Sequence, residues 1–101
     1  MNKFSVVKVT VLSTSKYCPF YEAGDTFFVR QQCFDFATAS PKQFCFHSFN
    51  DLYEVYLEVR KGPTGGTKIK GCCDKGIAQF KLERLPDEEG PGWNRPEQEF
   101  D

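Results

Sequence analysis

A two-residue hydrophobic period near the beginning of the chain constrains its fold more than any other feature. Val7, Val9 and Val11 share one face of an extended segment in which β-branched residues dominate. This pattern predicts a strand over residues 4–13. A second strand is predicted over residues 26–30, after a Gly-Asp turn signal. Too few residues separate the two for a helical crossover, so they are expected to pair antiparallel.

A helix is predicted in the middle of the chain, and its C-terminus is clearly marked. Two basic residues fill the last turn, Gly62 suits a left-handed position after it, and Pro63 prevents continuation. The start is open, because Pro41 lies within one capping sequence and Ser48 begins another. Apolar residues at spacings of three and four define the predicted buried stripe: Phe49, Leu52, Tyr53, Tyr56 and Val59.

A hairpin is predicted after the helix, formed by residues 67–73 and 77–85 and closed by a turn at residues 74–76. Pro86 is expected to end the last strand, and residues 31–43 are expected to be irregular. These elements predict an α+β fold, in which a four-stranded, largely antiparallel sheet in the chain order β-β-α-β-β carries one helix on a face.

The charge of the chain is divided unevenly. Residues 86–101 carry a net charge of −5 and residues 1–85 a net charge of +4. The basic residues are scattered rather than gathered on one face, so nucleic-acid binding is not expected. We interpret residues 1–85 as a single α+β domain. The acidic, Pro- and Gly-rich residues 86–101 are interpreted as a disordered linker that leads to a missing C-terminal domain.

The sequence also predicts a cytoplasmic location. No stretch approaches the ~20 apolar residues of a membrane-spanning helix. The early apolar run over residues 4–12 is not followed by a secretory cleavage site. Without export, the five cysteines are expected to stay reduced. Membrane binding is not expected, and the expected partner is another protein or a covalently linked C-terminal domain.

Aromatic residues are frequent for so small a domain. Eleven Phe, four Tyr and one Trp make up 16% of the chain, which predicts a core filled with large side chains. The aromatic residues that fall in loops either line a small-molecule groove or cap the ends of the sheet. Capping is the expected role in a small domain. The loop aromatics are Tyr17, Phe20, Tyr21 and Phe34.

The residues with metal-binding or nucleophilic chemistry are five cysteines and one histidine. A zinc site needs three or four convergent ligands, and the C-x-x-C spacing of zinc ribbons is absent. Cys45 would gain thiolate character from the helix dipole if the helix begins at Ser48. On a helix, however, Cys45 and His47 point apart, which disfavours a nucleophile–base pair. No catalytic residue is assigned and an enzyme is not expected. The favoured interpretation is that several cysteines fill core space, and a thiol or metal role is the alternative.

The segment from Phe44 to Phe49 resembles a family of small bacterial and archaeal α+β proteins in which the helix starts with Cys-x-His-Ser/Ala-Leu. The first strand, the Gly-Asp strand start, the Cys73-Asp74 hairpin and the Phe-x-Leu-Glu strand match the same pattern. The resemblance implies a fold rather than an activity, and similar domains precede regulatory modules, including cyclic-nucleotide-binding ones. It makes four residues candidate site positions: Cys18, Cys45, His47 and Cys73.

These four residues can converge at one end of the sheet if the helix N-terminus lies over the strand ends. Cys72 is expected outside the cluster because side chains alternate along a strand, and Cys33 because it lies in the irregular segment. Zinc or iron is the metal that such a cluster would hold, and otherwise no cofactor is expected. The leading hypothesis is a non-catalytic N-terminal interaction or ligand-sensing module of a larger cytoplasmic regulatory protein. The alternative is a metal- or redox-sensing thiol domain.

Overall fold

The computed structural model describes residues 2–15, 18, 20–35, 37–41, 44–71 and 78–90, with the backbone alone of Asn2 and His47. These residues form an antiparallel sheet and a helix, so the predicted α+β class is confirmed. Within them the sheet has five strands, not the predicted four. The elements are β1 (Asn2–Thr14), β2 (Thr26–Arg30), β3 (Cys33–Asp35), α1 (Phe46–Lys61), β4 (Thr67–Gly71) and β5 (Ala78–Gly90).

The long strands β1 and β5 lie at the centre of the sheet, whose order is β3-β2-β1-β5-β4. All four neighbouring pairs are antiparallel. The predicted alternation of β1 is confirmed, because Val7, Val9 and Val11 are at most 1% exposed. They form the core under α1 together with Phe80 and Leu82 of β5.

The additional strand, β3, lies in the segment that was predicted to be irregular. A two-residue turn connects it to β2, since Arg30 is paired with Cys33. Both turn residues have left-handed backbone, with φ of 51° at Gln31 and 63° at Gln32. Turns of this kind normally contain Asn or Gly, so the Gln-Gln sequence gave no sign of a hairpin.

The last strand continues past Pro86, so the prediction that this proline ends the strand is wrong. β5 reaches Gly90 and pairs there with the first residues of β1. The register shifts between Phe4 and Val6 of β1, opposite the proline. A bulge is where a strand tolerates a residue without an N–H. The predicted linker therefore begins within the sheet, and its residues 91–101 lie outside the described residues.

An arginine on the opposite face from α1 ties the extended end of β5 to the edge of the sheet. The Arg30 guanidinium pairs with buried Asp35 of β3 and reaches across β1 to Glu88, 3.0 Å away. It also lies 4.5 Å from the centre of the Phe28 ring. These contacts stabilise both segments that the sequence did not predict as strand.

The helix α1 begins at Phe46, so neither predicted start, at Pro41 or at Ser48, is correct. Cys45 is the N-cap residue, but its side chain makes no capping hydrogen bond. The Cys45 carbonyl accepts the first helical hydrogen bonds, from the N–H groups of Ser48 at 3.1 Å and Phe49 at 3.3 Å. Ser48 therefore lies in the first turn rather than before it.

The C-terminus of α1 at Lys61 is as predicted, but the residue beyond it is not left-handed. Gly62 has φ −84° and ψ −178°, which is extended backbone. Its N–H donates to the Val59 carbonyl at 3.1 Å. The hydrogen bond that closes the helix is thus made without the special conformation that glycine would supply.

The predicted buried stripe of α1 is confirmed in part. Leu52, Tyr56 and Val59 are buried, whereas Phe49 is 39% and Tyr53 50% exposed. A helical period identifies a stripe, but it does not show how far the sheet extends beneath it. The two exposed aromatics lie where a cavity separates the helix from the sheet.

The predicted second hairpin is described only in its strands. β4 ends at Gly71 and β5 begins at Ala78. The predicted turn at residues 74–76, together with Cys72 and Cys73, lies outside the described residues. In the part of the chain that is described, no helix is long and apolar enough to cross a membrane.

Candidate functional site

A cavity of about 120 Å³ lies between α1 and the core face of the sheet. Val9 of β1 and Leu82 of β5 lie on its buried side, and each is 1% exposed. Phe49 and Tyr53 of α1 form its exposed rim. Six of the eleven lining residues are aromatic, which makes the cavity suited to a flat ring: Phe27, Phe34, Phe44, Phe49, Tyr53 and Tyr56.

One wall of the cavity is a cluster of phenylalanine rings centred on Phe44. Its ring centre lies 4.4 Å from that of Phe34 and 5.2 Å from that of Phe27, the second in an edge-to-face arrangement. Phe44 precedes the helix, in a segment without regular secondary structure. Packing of its ring therefore fixes the wall and the entry of the chain into α1 together.

The segment that leads to Phe44 is anchored to the start of β2. Ser40 and Thr26 exchange two hydrogen bonds of 2.9 Å, one of them through the Ser40 hydroxyl. The same hydroxyl donates to Asp25, also at 2.9 Å. Asp25, predicted as a turn former, additionally accepts the N–H of Glu22 at 2.9 Å.

A hydrogen-bonded ring fixes the N-terminus of α1 beside the cavity. The Tyr21 hydroxyl accepts the N–H of Cys45 at 2.9 Å and donates to the Ser48 hydroxyl at 2.8 Å. The Ser48 hydroxyl in turn donates to the Cys45 carbonyl at 2.7 Å. Burial raises the pKa of Tyr21, although its hydrogen bonds act in the opposite direction. This loop aromatic is thus a helix anchor, a role other than the predicted capping of the sheet ends.

The second buried tyrosine, Tyr56, has a different environment. Its ring lines the cavity, but its hydroxyl is sealed from solvent and has no hydrogen-bond partner among the described residues. Burial raises the pKa of Tyr56, against smaller lowering effects of the Arg60 charge and of nearby Ser5. Ser5 does not meet the geometry of a hydrogen bond with this hydroxyl, which therefore has no partner in the described part of the chain.

An aromatic ladder, formed by Phe46, Phe49 and Tyr53, runs along α1 at the mouth of the cavity. Neighbouring rings are stacked, with centres 6.1 Å and 6.0 Å apart. Phe46 is 84% exposed and does not line the cavity, whereas the other two rings do. The ladder therefore provides stacked rings that differ in their access to a ligand, because Phe49 and Tyr53 line the cavity and Phe46 does not.

The β2–β3 turn places Gln32 in the cavity lining. Its φ of 63° is costly for a residue with a side chain, by roughly 1–2 kcal/mol. The adjacent Gln31 has a similar φ of 51° but does not line the cavity. Gln32, Tyr53 and Tyr56 carry the polar side-chain groups of a lining that is otherwise hydrocarbon.

The predicted thiol site is described in part. Cys18 and Cys45 are half-buried against the core, and the N–H of Cys45 donates to the Tyr21 hydroxyl. Cys33 is exposed, in β3. Cys73 and the side chain of His47 lie outside the described residues. Among the residues described, no group of three or more His, Cys, Asp or Glu could hold a metal ion, and the four-residue cluster stays a prediction.

Comparison of the chain with protein-family models, with curated proteins and with solved structures finds no match. The resemblance of the Phe44–Phe49 segment to small prokaryotic α+β proteins therefore stays an expectation.

Sequence reasoning did not predict the cavity, although a groove was one of the two roles considered for Phe34, which lines it. The high phenylalanine content was a signal that rings would meet, but it did not show that they would leave a space between them. Gln32 gave no signal, since its contribution depends on a hairpin that the sequence did not predict. Phe49 and Tyr53 were recognised as apolar positions of the helix and were assigned to the core.

Proposed function

We propose that this chain is a non-catalytic ligand-sensing module whose binding site is the aromatic cavity beneath α1. The observation that carries the proposal is an apolar space of about 120 Å³ with a buried floor and an exposed rim. Most ligand sites are preformed, concave and lined by apolar and aromatic side chains with few polar groups. Exposed aromatic rings beside such a space are otherwise unfavourable in water.

The chemistry of the lining supports binding rather than catalysis. Among the described residues, the side chains that line the cavity are hydrocarbon, two phenols and one amide. Acid–base or nucleophilic catalysis needs a group that can exchange a proton or attack a substrate near neutral pH. A phenol is poorly suited to this role because its reference pKa of about 10 lies far above neutral pH, and burial raises the pKa of Tyr56 further.

The position of β5 suggests how occupancy would be transmitted. Leu82 lies on the floor of the cavity, and the same strand runs on to Gly90 at the far end of the sheet. A ligand that shifts α1 against this strand would alter the position of the C-terminal end of β5. We therefore propose that the module acts on a following regulatory domain of a larger cytoplasmic protein, such as the cyclic-nucleotide-binding modules that the resemblance suggests.

Titration of the full chain with phenol, followed by backbone amide NMR, tests the proposal. Saturable shifts are expected around the cavity. Phe49→Ala should weaken binding by about 2- to 10-fold, the value of one aromatic contact. Phe46→Ala is the matched control, because it removes a ring of the same ladder that does not line the cavity. Equal effects of both variants, or no saturable shift, would refute the site.

One observation favours the second candidate function, a metal- or redox-sensing thiol domain. Cys18 and Cys45 both pack against the core that contains Tyr21, and the Cys45 N–H donates to the Tyr21 hydroxyl. The candidate ligands remain Cys18, Cys45, His47 and Cys73, with zinc or iron as the metal. Metal analysis and thiol titration of protein purified without chelator test this candidate. Five freely reactive thiols and no metal would eliminate the metal site, and five thiols that form no disulfide or sulfenic acid with mild oxidant would eliminate redox sensing.

A further inference from the structure

The size of the cavity limits its ligand to about one ring. A cavity of about 150 Å³ lined by apolar side chains takes up benzene. The present cavity, at about 120 Å³, is slightly smaller but opens at the rim formed by Phe49 and Tyr53. A fused or chain-like molecule would have to extend past these two rings into solvent. The aromatic walls favour a planar occupant, which can pack edge-to-face or offset against them.

The electrostatics of the lining select an uncharged ligand. In the described part of the chain, no Asp, Glu, Lys or Arg side chain lines the cavity. A carboxylate or ammonium group placed there would lose its hydration without gaining a counter-charge, which is strongly unfavourable. The Tyr56 hydroxyl does not offset this cost, since it is sealed from solvent and a ligand cannot reach it without rearrangement.

The polar group that best fits a ligand contact is the amide of Gln32. Gln32 is exposed, so its amide stays accessible, while the residue still forms part of the lining. An amide both donates and accepts, so it can pair with a hydroxyl or an N–H on the ligand. Gln32 adopts the left-handed backbone that places it there, although glycine or asparagine would adopt this conformation at lower cost.

We propose that the cavity binds a small, uncharged, single-ring aromatic molecule whose one hydroxyl or N–H group is hydrogen-bonded by Gln32. This assignment rests on the proposed ligand-sensing function and specifies the chemical class of the ligand. The ring occupies the space between Val9, Leu82 and Leu52, and the polar group points to the β2–β3 turn.

Three probes of one ring size, namely benzene, phenol and benzoate, test the assignment by NMR titration of the full chain. Phenol should bind about 2- to 10-fold more tightly than benzene, the range of one net hydrogen bond. Benzoate should bind at least about tenfold more weakly than benzene, because its charge is unpaired in the cavity.

A pair of glycine variants locates the hydrogen bond. Gln32→Gly should reduce the ratio of benzene to phenol dissociation constants from about 2–10 to about 1. Gln31→Gly changes the same turn at a similar φ and should leave the preference intact. Both variants suit left-handed backbone, so loss of folding does not explain a loss of binding.

The outcomes separate this assignment from the proposed function. If benzene binds but phenol has no advantage, or if benzoate binds most tightly, the ligand class is wrong and the binding site stands. The ligand class is also wrong if Gln31→Gly and Gln32→Gly reduce phenol binding equally. If none of the three probes binds saturably, both the ligand class and the proposed function are wrong.

Discussion

Two buried tyrosines allow one chemical change to be made in two opposite environments. Tyr21 is 4% and Tyr56 is 7% exposed, and both rings pack in the same core. Replacing either by phenylalanine removes one oxygen atom and leaves the ring. The Tyr21 oxygen accepts the Cys45 N–H and donates to Ser48, whereas the Tyr56 oxygen has no hydrogen-bond partner among the described residues. The two substitutions should therefore change stability with opposite signs.

The magnitudes follow from these partners. Tyr21→Phe removes two hydrogen bonds and leaves the Cys45 N–H without its acceptor, which should lower the free energy of unfolding by about 1–3 kcal/mol. Tyr56→Phe removes a buried polar atom that gains nothing in the folded state, so stability should be unchanged or rise by up to about 1 kcal/mol. For a domain of this size, 1 kcal/mol corresponds to a shift in Tm of about 4–8 °C.

Urea unfolding followed by far-UV circular dichroism measures both effects. The midpoint should fall for Tyr21→Phe and stay or rise for Tyr56→Phe, while the m-value is unchanged in both. If both variants lose more than about 1 kcal/mol, the Tyr56 hydroxyl has a partner after all. If neither variant changes stability, the hydrogen-bonded ring at the start of α1 does not stabilise the fold.

The pH dependence provides a second test of the same pair. Burial raises the pKa of both Tyr21 and Tyr56 above the ordinary value of 10.0. The unfolded chain therefore loses these protons at lower pH than the folded chain does. The stability from the neutral hydroxyls is fully present below pH 10 and is lost as pH rises through the raised values. Each Phe variant should lose stability less steeply above pH 10 than the unchanged protein.

Two further predictions concern the β2–β3 hairpin. Arg30→Met leaves the buried carboxylate of Asp35 without its counter-charge and should lower the free energy of unfolding by about 3–5 kcal/mol. Glu88→Gln alters the exposed partner of the same arginine and should lower it by less than about 1 kcal/mol. Urea unfolding measures both changes. Equal costs would show that Arg30 serves mainly to hold β5. Gln31→Gly and Gln32→Gly should each raise the free energy of unfolding by up to about 1–2 kcal/mol, because glycine relieves the backbone strain, and a fall in this free energy would contradict the left-handed turn.

Local signals explain the parts of the fold that could be predicted from the sequence. The alternation of Val7, Val9 and Val11 locates β1, and the basic last turn locates the end of α1. Each of these signals depends on residues that are close together in the sequence. The continuation of β5 past Pro86 depends instead on a bulge opposite β1 and on contacts with Arg30. These contacts join segments that are distant in the sequence, whereas the expectation that proline ends a strand considers only the local sequence.

The cavity could not be predicted for a related reason. Residue type predicted that Phe49 and Tyr53 would be buried, yet their exposure is set by how far α1 stands from the sheet. That distance depends on the rings of Phe44 and Phe34, which belong to segments without a periodic pattern. A space between side chains is a property of their joint packing, and no single position in the sequence encodes it.

Isotope-filtered NOE measurements on the full chain with saturating phenol test the central claim most directly. The account predicts NOEs from the phenol ring protons to the methyl groups that line the cavity, those of Val9, Val29, Leu52 and Leu82. Val6 and Val11 are equally buried valines that do not line it and should show none. NOEs to these two valines, or their absence at the four lining residues under saturating ligand, would contradict a binding site beneath α1.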